Sequence, residues 1–328
     1  MCCNAFVKLT SDPLPDPLHR AALIAMLATQ RHSWEQGVAM QALDAAGQRE
    51  ALVSLAYAAV KTTAVADGRI GVMPGPDEDG AVDSCACGIP LARAHELTGA
   101  FADAVTRLER WARVGAPRGA DGVVYHEMSK PTIWSDSFFM LPPFLADCGR
   151  PDEALAQIRG YWRVLHDPGT GLVAHIWDAT ASSLIDPALW ATGVGWAAAG
   201  MAQVMERIPD AAQRVELLGM IQTLLDGLAP FQRPDGLFHN TVDDAETFVE
   251  TAGGALVAYA IFTGVASGWL PAKYAAMATR IRKAARSRVG QYGFLDGGPG
   301  APDFDKPGIS AEAQAAFLLM EMAAAKAN

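Results

Sequence analysis

A chain of 328 residues with 51% hydrophobic residues and a slightly positive mean hydropathy can bury a sizeable core, which excludes intrinsic disorder. A formal net charge of −10, with no Lys/Arg run or basic stripe, excludes nucleic acid and anionic membrane as expected partners. No stretch reaches the ~18 uninterrupted apolar residues of a membrane span, and no basic segment followed by an apolar one opens the chain.

Apolar residues at helical spacing predict twelve helices, near residues 18–29, 32–47, 51–66, 83–98, 101–114, 134–148, 151–165, 187–206, 209–230, 250–268, 271–288 and 309–326. Alanine is abundant and β-branched residues are sparse, so almost no strand is expected. Residues 1–17 read as an extended lead-in to one domain covering 1–328, since no linker or low-complexity segment divides the chain. The five cysteines (Cys2, Cys3, Cys85, Cys87, Cys148) are odd in number and read as reduced, in a cytoplasmic setting. Cys85 and Cys87 lack the spacing of the common zinc patterns and are expected as small buried side chains.

The joints between helices alternate. Short ones carry Gly or Pro, as in "ELTGAFAD" and "ADCGRPDEA", matching a Gly-capped helix end followed by a Pro or Asp start. Long ones are rich in Gly, Pro and Asp, as in "DGRIGVMPGPDEDGAVD". Helices after long joints are small and apolar all round, such as "WATGVGWAAAGMAQV" and "ETAGGALVAYAIF". Helices after short joints are amphipathic and charged, such as "RPDEALAQIRGYWRVL". A helix apolar on every side is buried on every side. Six hairpins with one buried and one half-exposed helix each therefore predict an all-α (α/α)6 barrel, an inner ring inside an outer one; an open solenoid would leave the first set wet.

In such a barrel the six inner N-termini meet at one end, under the long loops. Five of those six starts carry Trp, a carboxylate or both: Trp34 and Glu35, Asp83, Trp134 and Asp136, Trp190 and Trp196, and Glu250. The preceding loops add Tyr125, His126, His175, Trp177, Asp178, Phe238 and His239. Asp and Glu near a helix start are also ordinary caps. Tryptophan has no capping role, and stacked indole faces are what a sugar pocket uses. His95, His166 and Asp167 read as surface or cap residues, and "GQYGFLDGGPGAPDF" as a rim loop or simply the last joint. No HExxH, P-loop or dinucleotide fingerprint is present, and no cofactor or metal is implied.

"SWEQGVAMQAL", "IWSDSFFMLPPFL", "GLVAHIWDAT", "WATGVGWAAAGMAQVM" and "PDGLFHNTVDDAETFVETAGGALVAYAI" together resemble glycoside hydrolase family 105. These are the unsaturated rhamnogalacturonyl hydrolases, relatives of the unsaturated glucuronyl hydrolases. The resemblance implies the (α/α)6 barrel and a reaction on unsaturated uronyl oligosaccharides left by polysaccharide lyases. A proton adds at C4 of the enol ether, water adds at C5, and the hemiketal opens to release the next sugar. It implies Asp136 as general acid, Asp83 as the partner that orients water, and His126 as a pocket residue. Trp34, Trp134, His175, Trp190 and Trp196 match positions lining the sugar subsite.

Burial of Asp136 among Trp134, Phe138, Phe139 and Met140, with Asp83 nearby, is expected to raise its pKa against the opposing ~0.3–1 kcal/mol of the helix dipole. An ionised, capping Asp136 is the alternative. One departure concerns specificity. Two residues after the first Trp of W-x-R-x-x-G-W the family often has an Arg, and then an Asn; this chain has Thr192 and Val194. A hydroxyl does not replace a bidentate guanidinium. Another (α/α)6 enzyme (an inverting glycosidase or a lyase) and a non-catalytic sugar-binding relative are the competing readings, and nothing in the pattern sets an oligomeric state.

Overall fold

The computed structural model describes residues 9–300 and 305–327; Cys2 and Cys3 lie outside them. Residues 9–16 have no regular secondary structure. The Asp16 carboxylate then accepts the backbone N–H of Leu18 at 2.9 Å and, with Pro17 in the first position, starts the first helix.

In chain order the helices are α1 (Pro17–Thr29), α2 (Ser33–Ala45), α3 (Arg49–Thr62), α4 (Gly88–Thr98), α5 (Ala102–Arg110), α6 (Ser137–Met140) and α7 (Pro142–Asp147). There follow α8 (Pro151–Leu165), α9 (Ala191–Met205), α10 (Ala211–Leu228), α11 (Ala252–Ala266), α12 (Ala275–Ser287) and α13 (Ala311–Ala327). A 3-10 turn, Asp83–Cys87, leads into α4, and a π turn, Trp111–Gly115, extends α5.

Six inner positions form a closed ring. The helix α2 packs on the 3-10 turn that opens α4, which packs on α6 and α7, and these on α9; α9 packs on α11, α11 on α13, and α13 returns to α2. The remaining helices (α1, α3, α5, α8, α10, α12) lie outside, against the inner ones. This is the expected (α/α)6 arrangement. All fifteen residues of α9 are buried, whereas outer α12 buries only the stripe Met277, Ala278, Ile281 and Ala285.

Small residues let the inner helices touch backbone to backbone. A Cβ on Gly195 would stand 2.7 Å from the Gly253 carbonyl oxygen, and one on Gly200 would stand 2.0 Å from that of Phe138. The glycines of the W-x-x-G-x-G-W stretch are therefore packing positions.

Two expectations are corrected. The third inner helix is not continuous from 134 to 148. Pro142 and Pro143 have no N–H to continue the ladder, and the chain bends at Leu141 between α6 and α7. Strand is also more frequent than expected, all of it short and in the long joints. β1 (Thr132–Trp134), β2 (Ile176–Asp178) and β3 (Ser183–Asp186) form an antiparallel sheet in that order, with Trp134 opposite Ile176. β4 (Phe238–His239) pairs with β5 (Val249–Glu250), and β6 (Gly298–Pro299) with β7 (Pro307–Gly308).

Candidate active site

A cavity of about 670 Å³ opens among the long loops at the N-terminal ends of the inner helices. Of the residues expected there, Trp34, Asp83, His126, Trp134, Asp136, His175 and Trp190 line it.

Asp136 occupies the turn between β1 and α6. Its carbonyl accepts the N–H of Phe139 at 2.9 Å, while its side chain caps nothing and stays free to face the cavity. Ser135 Oγ donates to Asp136 Oδ2 at 3.4 Å, and the Ser135 N–H donates to the His175 carbonyl, which ties this turn to β2. The carboxyl is half-buried, and Met140 lies beside it in the cavity wall.

Asp83 starts the 3-10 turn before α4 and is 7% exposed. Gly80 is required beneath it, because a Cβ there would stand 2.0 Å from Asp83 Oδ2. His126 Nε2 lies 3.6 Å from Asp83 Oδ1, and His126 Nδ1 lies 3.2 Å from Ser137 Oγ. Burial pushes the Asp83 carboxyl up to about 6; His126 pulls the other way, and the neighbouring Asp77 and Asp136 charges add to the rise.

One wall is a run of aromatic rings. His126 stacks on Trp134 (centroids 4.5 Å apart, planes within 10°), Trp134 meets His175 edge-on at 5.5 Å, and His175 leans on Trp190 at 4.8 Å. His175 Nδ1 is 2.8 Å from Asp186 Oδ2, which fixes the ring. Trp34 stands across the ring on α2, stacked on His32 at 4.6 Å. All three indole N–H groups are spent on protein acceptors: Trp34 on Glu312, Trp134 on Thr132, Trp190 on Asn240. These tryptophans therefore offer faces to a ligand, the geometry a pyranose ring requires.

Four other expected residues do not reach the cavity wall. Glu35 is buried and accepts the N–H groups of Arg31 and His32, so it caps α2. Trp177, on β2, packs against the core. Thr192 is fully buried and donates to Glu250 Oε1 at 3.1 Å. Trp196 is 2% exposed and packs on Phe139. It stands in the second turn of α9 rather than at its start, among core side chains, which the motif alone does not reveal. Trp134 and Glu250, expected at helix starts, sit on β1 and β5, three residues before α6 and two before α11. Among the loop residues Phe238 is core, Asp178 caps the β2–β3 turn, and His239 contacts Arg233 and the Thr247 carbonyl.

Sequence reasoning missed several lining residues: Glu312, Asp186, Asn240, Asp79, Glu127, Thr241 and Asp305. Glu312 is the most informative. It begins the sixth inner helix in "SAEAQ", where a Glu reads as a dipole-matched first-turn residue. The repeated association of acid with inner start was the available signal. It is 4% exposed and accepts Trp34 Nε1 at 2.9 Å; burial pushes its carboxyl up to about 8, with Glu35 and Asp136 adding to the rise.

Among the described residues no Lys or Arg lines the cavity, and no group of three or more His, Cys, Asp or Glu could hold a metal ion. Cys85 and Cys87 are buried free thiols.

A closed double ring of helices, with an acid-lined and tryptophan-walled cavity at the inner N-termini, defines the class of (α/α)6 carbohydrate barrels. Within that class the chain belongs to Glycosyl Hydrolase Family 88, whose profile matches residues 15–295. It is 27% identical over 217 residues to the unsaturated rhamnogalacturonyl hydrolase YesR of Bacillus subtilis; the match spans 60% of this chain and 62% of that protein. In fold it is similar to a possible GH105 member from Salmonella enterica serovar Paratyphi A, with TM-score 0.81 at 20% identity over 93% of this chain and 92% of the other. The unsaturated glucuronyl hydrolase of Bacillus sp. GL1 is a more distant likeness, with TM-score 0.66 at 13% identity over 93% of each chain.

Proposed function

We propose that the chain is a hydrolase of 4,5-unsaturated uronyl oligosaccharides, working as one (α/α)6 domain over its whole length. The observation that carries this reading is the placement of Asp136: a carboxyl with no capping duty, facing a cavity whose walls are indole faces and whose second acid is Asp83. The kinship with YesR supports the substrate class.

In this reading Asp136 gives its proton to C4 of the enol ether, and positive charge develops at C5 and the ring oxygen. Above about pH 6 the Asp83 carboxylate accepts a hydrogen bond from water and aims it at C5. The proton lost by that water returns to the carboxyl pair. The C5 hemiketal then opens by breaking its bond to the ring oxygen, leaving a hemiacetal at C1 that collapses to the aldehyde and frees the next sugar. Carboxyls and water suffice for every step. Trp34, Trp134 and Trp190 hold the ring by stacking, and His126, braced between Asp83 and Ser137, keeps the Asp83 carboxylate in place.

Incubation with lyase-generated disaccharides tests this directly. The ultraviolet absorbance of the conjugated double bond should disappear with the wild type and persist with Asp136→Asn, at unchanged thermal stability. A protein that generates absorbance from intact polysaccharide would be a lyase and would refute the reading, and turnover by D136N would remove Asp136 from its role.

A further inference from the structure

An anionic sugar poses a problem for this cavity. Asp83, Asp136, Asp186 and Glu312 all line it, and no Lys or Arg does among the described residues. Its three indole N–H groups are already donated to Glu312, Thr132 and Asn240. Both nitrogens of His126 face Ser137 and Asp83. His175 commits Nδ1 to Asp186, so as a neutral ring it presents only the acceptor side of Nε2. A carboxylate needs donors, and of the side chains named so far none has one to spare, which leaves the Asn240 amide and the Thr241 hydroxyl.

Glu312 can add a donor of another kind. It lies in the first turn of α13, 4% exposed, with Oε2 accepting Trp34 Nε1. Glu35 from α2, Asp136 from the turn before α6 and Glu250 from β5 act on it electrostatically, all of them acidic. Exposed Asp305 and Lys306 lie on the loop that leads into α13. Both Glu312 and Asp305 lie beyond the stretch matched by the family profile.

We infer that Glu312 recognises the sugar carboxylate as a neutral carboxylic acid, donating its O–H to the uronate while Trp34 holds its other oxygen. This rests on the unsaturated-uronate reading of the same cavity and adds to it a donor of a different kind from the guanidinium that the Thr192 position lacks. The raised pKa of about 8 agrees, since the acid form then persists at neutral pH. A bound carboxylate beside it favours the proton further. Binding is therefore proton-linked: above about pH 8 the ligand must bring a proton with it, and affinity falls toward about tenfold per pH unit. Neutral donors such as the Asn240 amide carry no such signature.

The test is kcat and KM from pH 7 to 9.5 for wild type, Glu312→Gln and Glu312→Ala, on a lyase-generated unsaturated disaccharide, with melting temperatures as controls. Gln can still accept from Trp34 and donate to the ligand at every pH. Wild-type KM should be flat to about pH 8 and then climb. E312Q should bind a few-fold more weakly at pH 7 and lose the climb, and E312A should raise KM by more than about tenfold, exceeding any loss in kcat. An alkaline climb that persists in E312Q, or an E312A variant whose KM is unmoved, overturns the proposal while leaving the function intact. A wild type that consumes no unsaturated disaccharide overturns the functional reading itself.

Discussion

The hydroxyl of Thr192 donates to Glu250 Oε1 at 3.1 Å, and neither residue touches the cavity. The same carboxylate accepts the N–H groups of Ala252 and Gly253 and so caps α11 from β5. Thr192 is thus a clasp between the fourth and fifth inner helices. Thr192→Val should cost about 1–3 kcal/mol, because a buried acceptor loses a donor. Thr192→Arg should destabilise more and should not improve substrate binding, since the site is closed to solvent. Denaturant titration with steady-state KM on the same samples checks both.

Glu250 also predicts how stability changes with pH. Burial pushes its carboxyl up to about 7, against an unfolded value near 4.3, so the folded state keeps a proton that the unfolded chain releases. Stability from this group is complete below the unfolded value and is lost as pH rises through about 7; Glu312 acts likewise through about 8. Unfolding free energy should decline from pH 5 to 9, and Glu250→Gln should flatten part of the decline. An unchanged slope in that variant would refute the assignment.

Glu321 predicts the opposite limb. It is fully buried and receives His19, Arg282 and Arg286, with Oε1 at 2.8 Å from Arg282 Nε. Burial alone would raise its pKa, but these partners bring it down to about 2. Its contribution holds above the ordinary Glu range and disappears as pH falls from about 4.3 toward 2. Glu321→Gln should cost about 3 kcal/mol at pH 7, the low end for a broken buried pair because both arginines are about a third exposed. Between pH 5 and 2 the unfolding free energy of that variant, from denaturant titrations at each pH, should fall less steeply than the wild type's.

Trp134 and Trp196 should separate by assay. Trp196→Ala leaves a hole against Phe139 and should cost about 3–5 kcal/mol. Trp134→Ala removes a half-buried face stacked on His126 and should act mainly on KM. Equal melting losses for the two would contradict this division.

The role proposed for Asp83 predicts an acid limb of activity. With its carboxyl raised to about 6, turnover should grow as pH rises through that value and level off above it. Asp83→Asn should lose about 10²–10⁴ in kcat together with that limb. A D83N profile that keeps the limb would assign it to another group.

The helices and their two classes were readable because all-round apolarity can be satisfied only inside a ring, as α9 shows residue by residue. The cavity positions of Asp136, Asp83 and three tryptophans followed from the clustering of odd residue types at inner starts, and that of His126 from the loop before one. The failures share one cause. Glu35 and Glu250 have the residue type and position of site acids, yet their oxygens are taken by backbone N–H groups. Glu312 has the type and position of a cap, yet it faces the cavity.

Periodicity and composition along the chain, being local properties, determined which segments are helices, which helices are buried, and at which end the acids and tryptophans gather. What each carboxyl and indole does there was decided by distance across the ring, between residues as far apart in sequence as Trp34 and Glu312. A shift of a few residues along α9 separates cavity-lining Trp190 from buried Thr192 and Trp196, and only packing of the closed barrel sets that division.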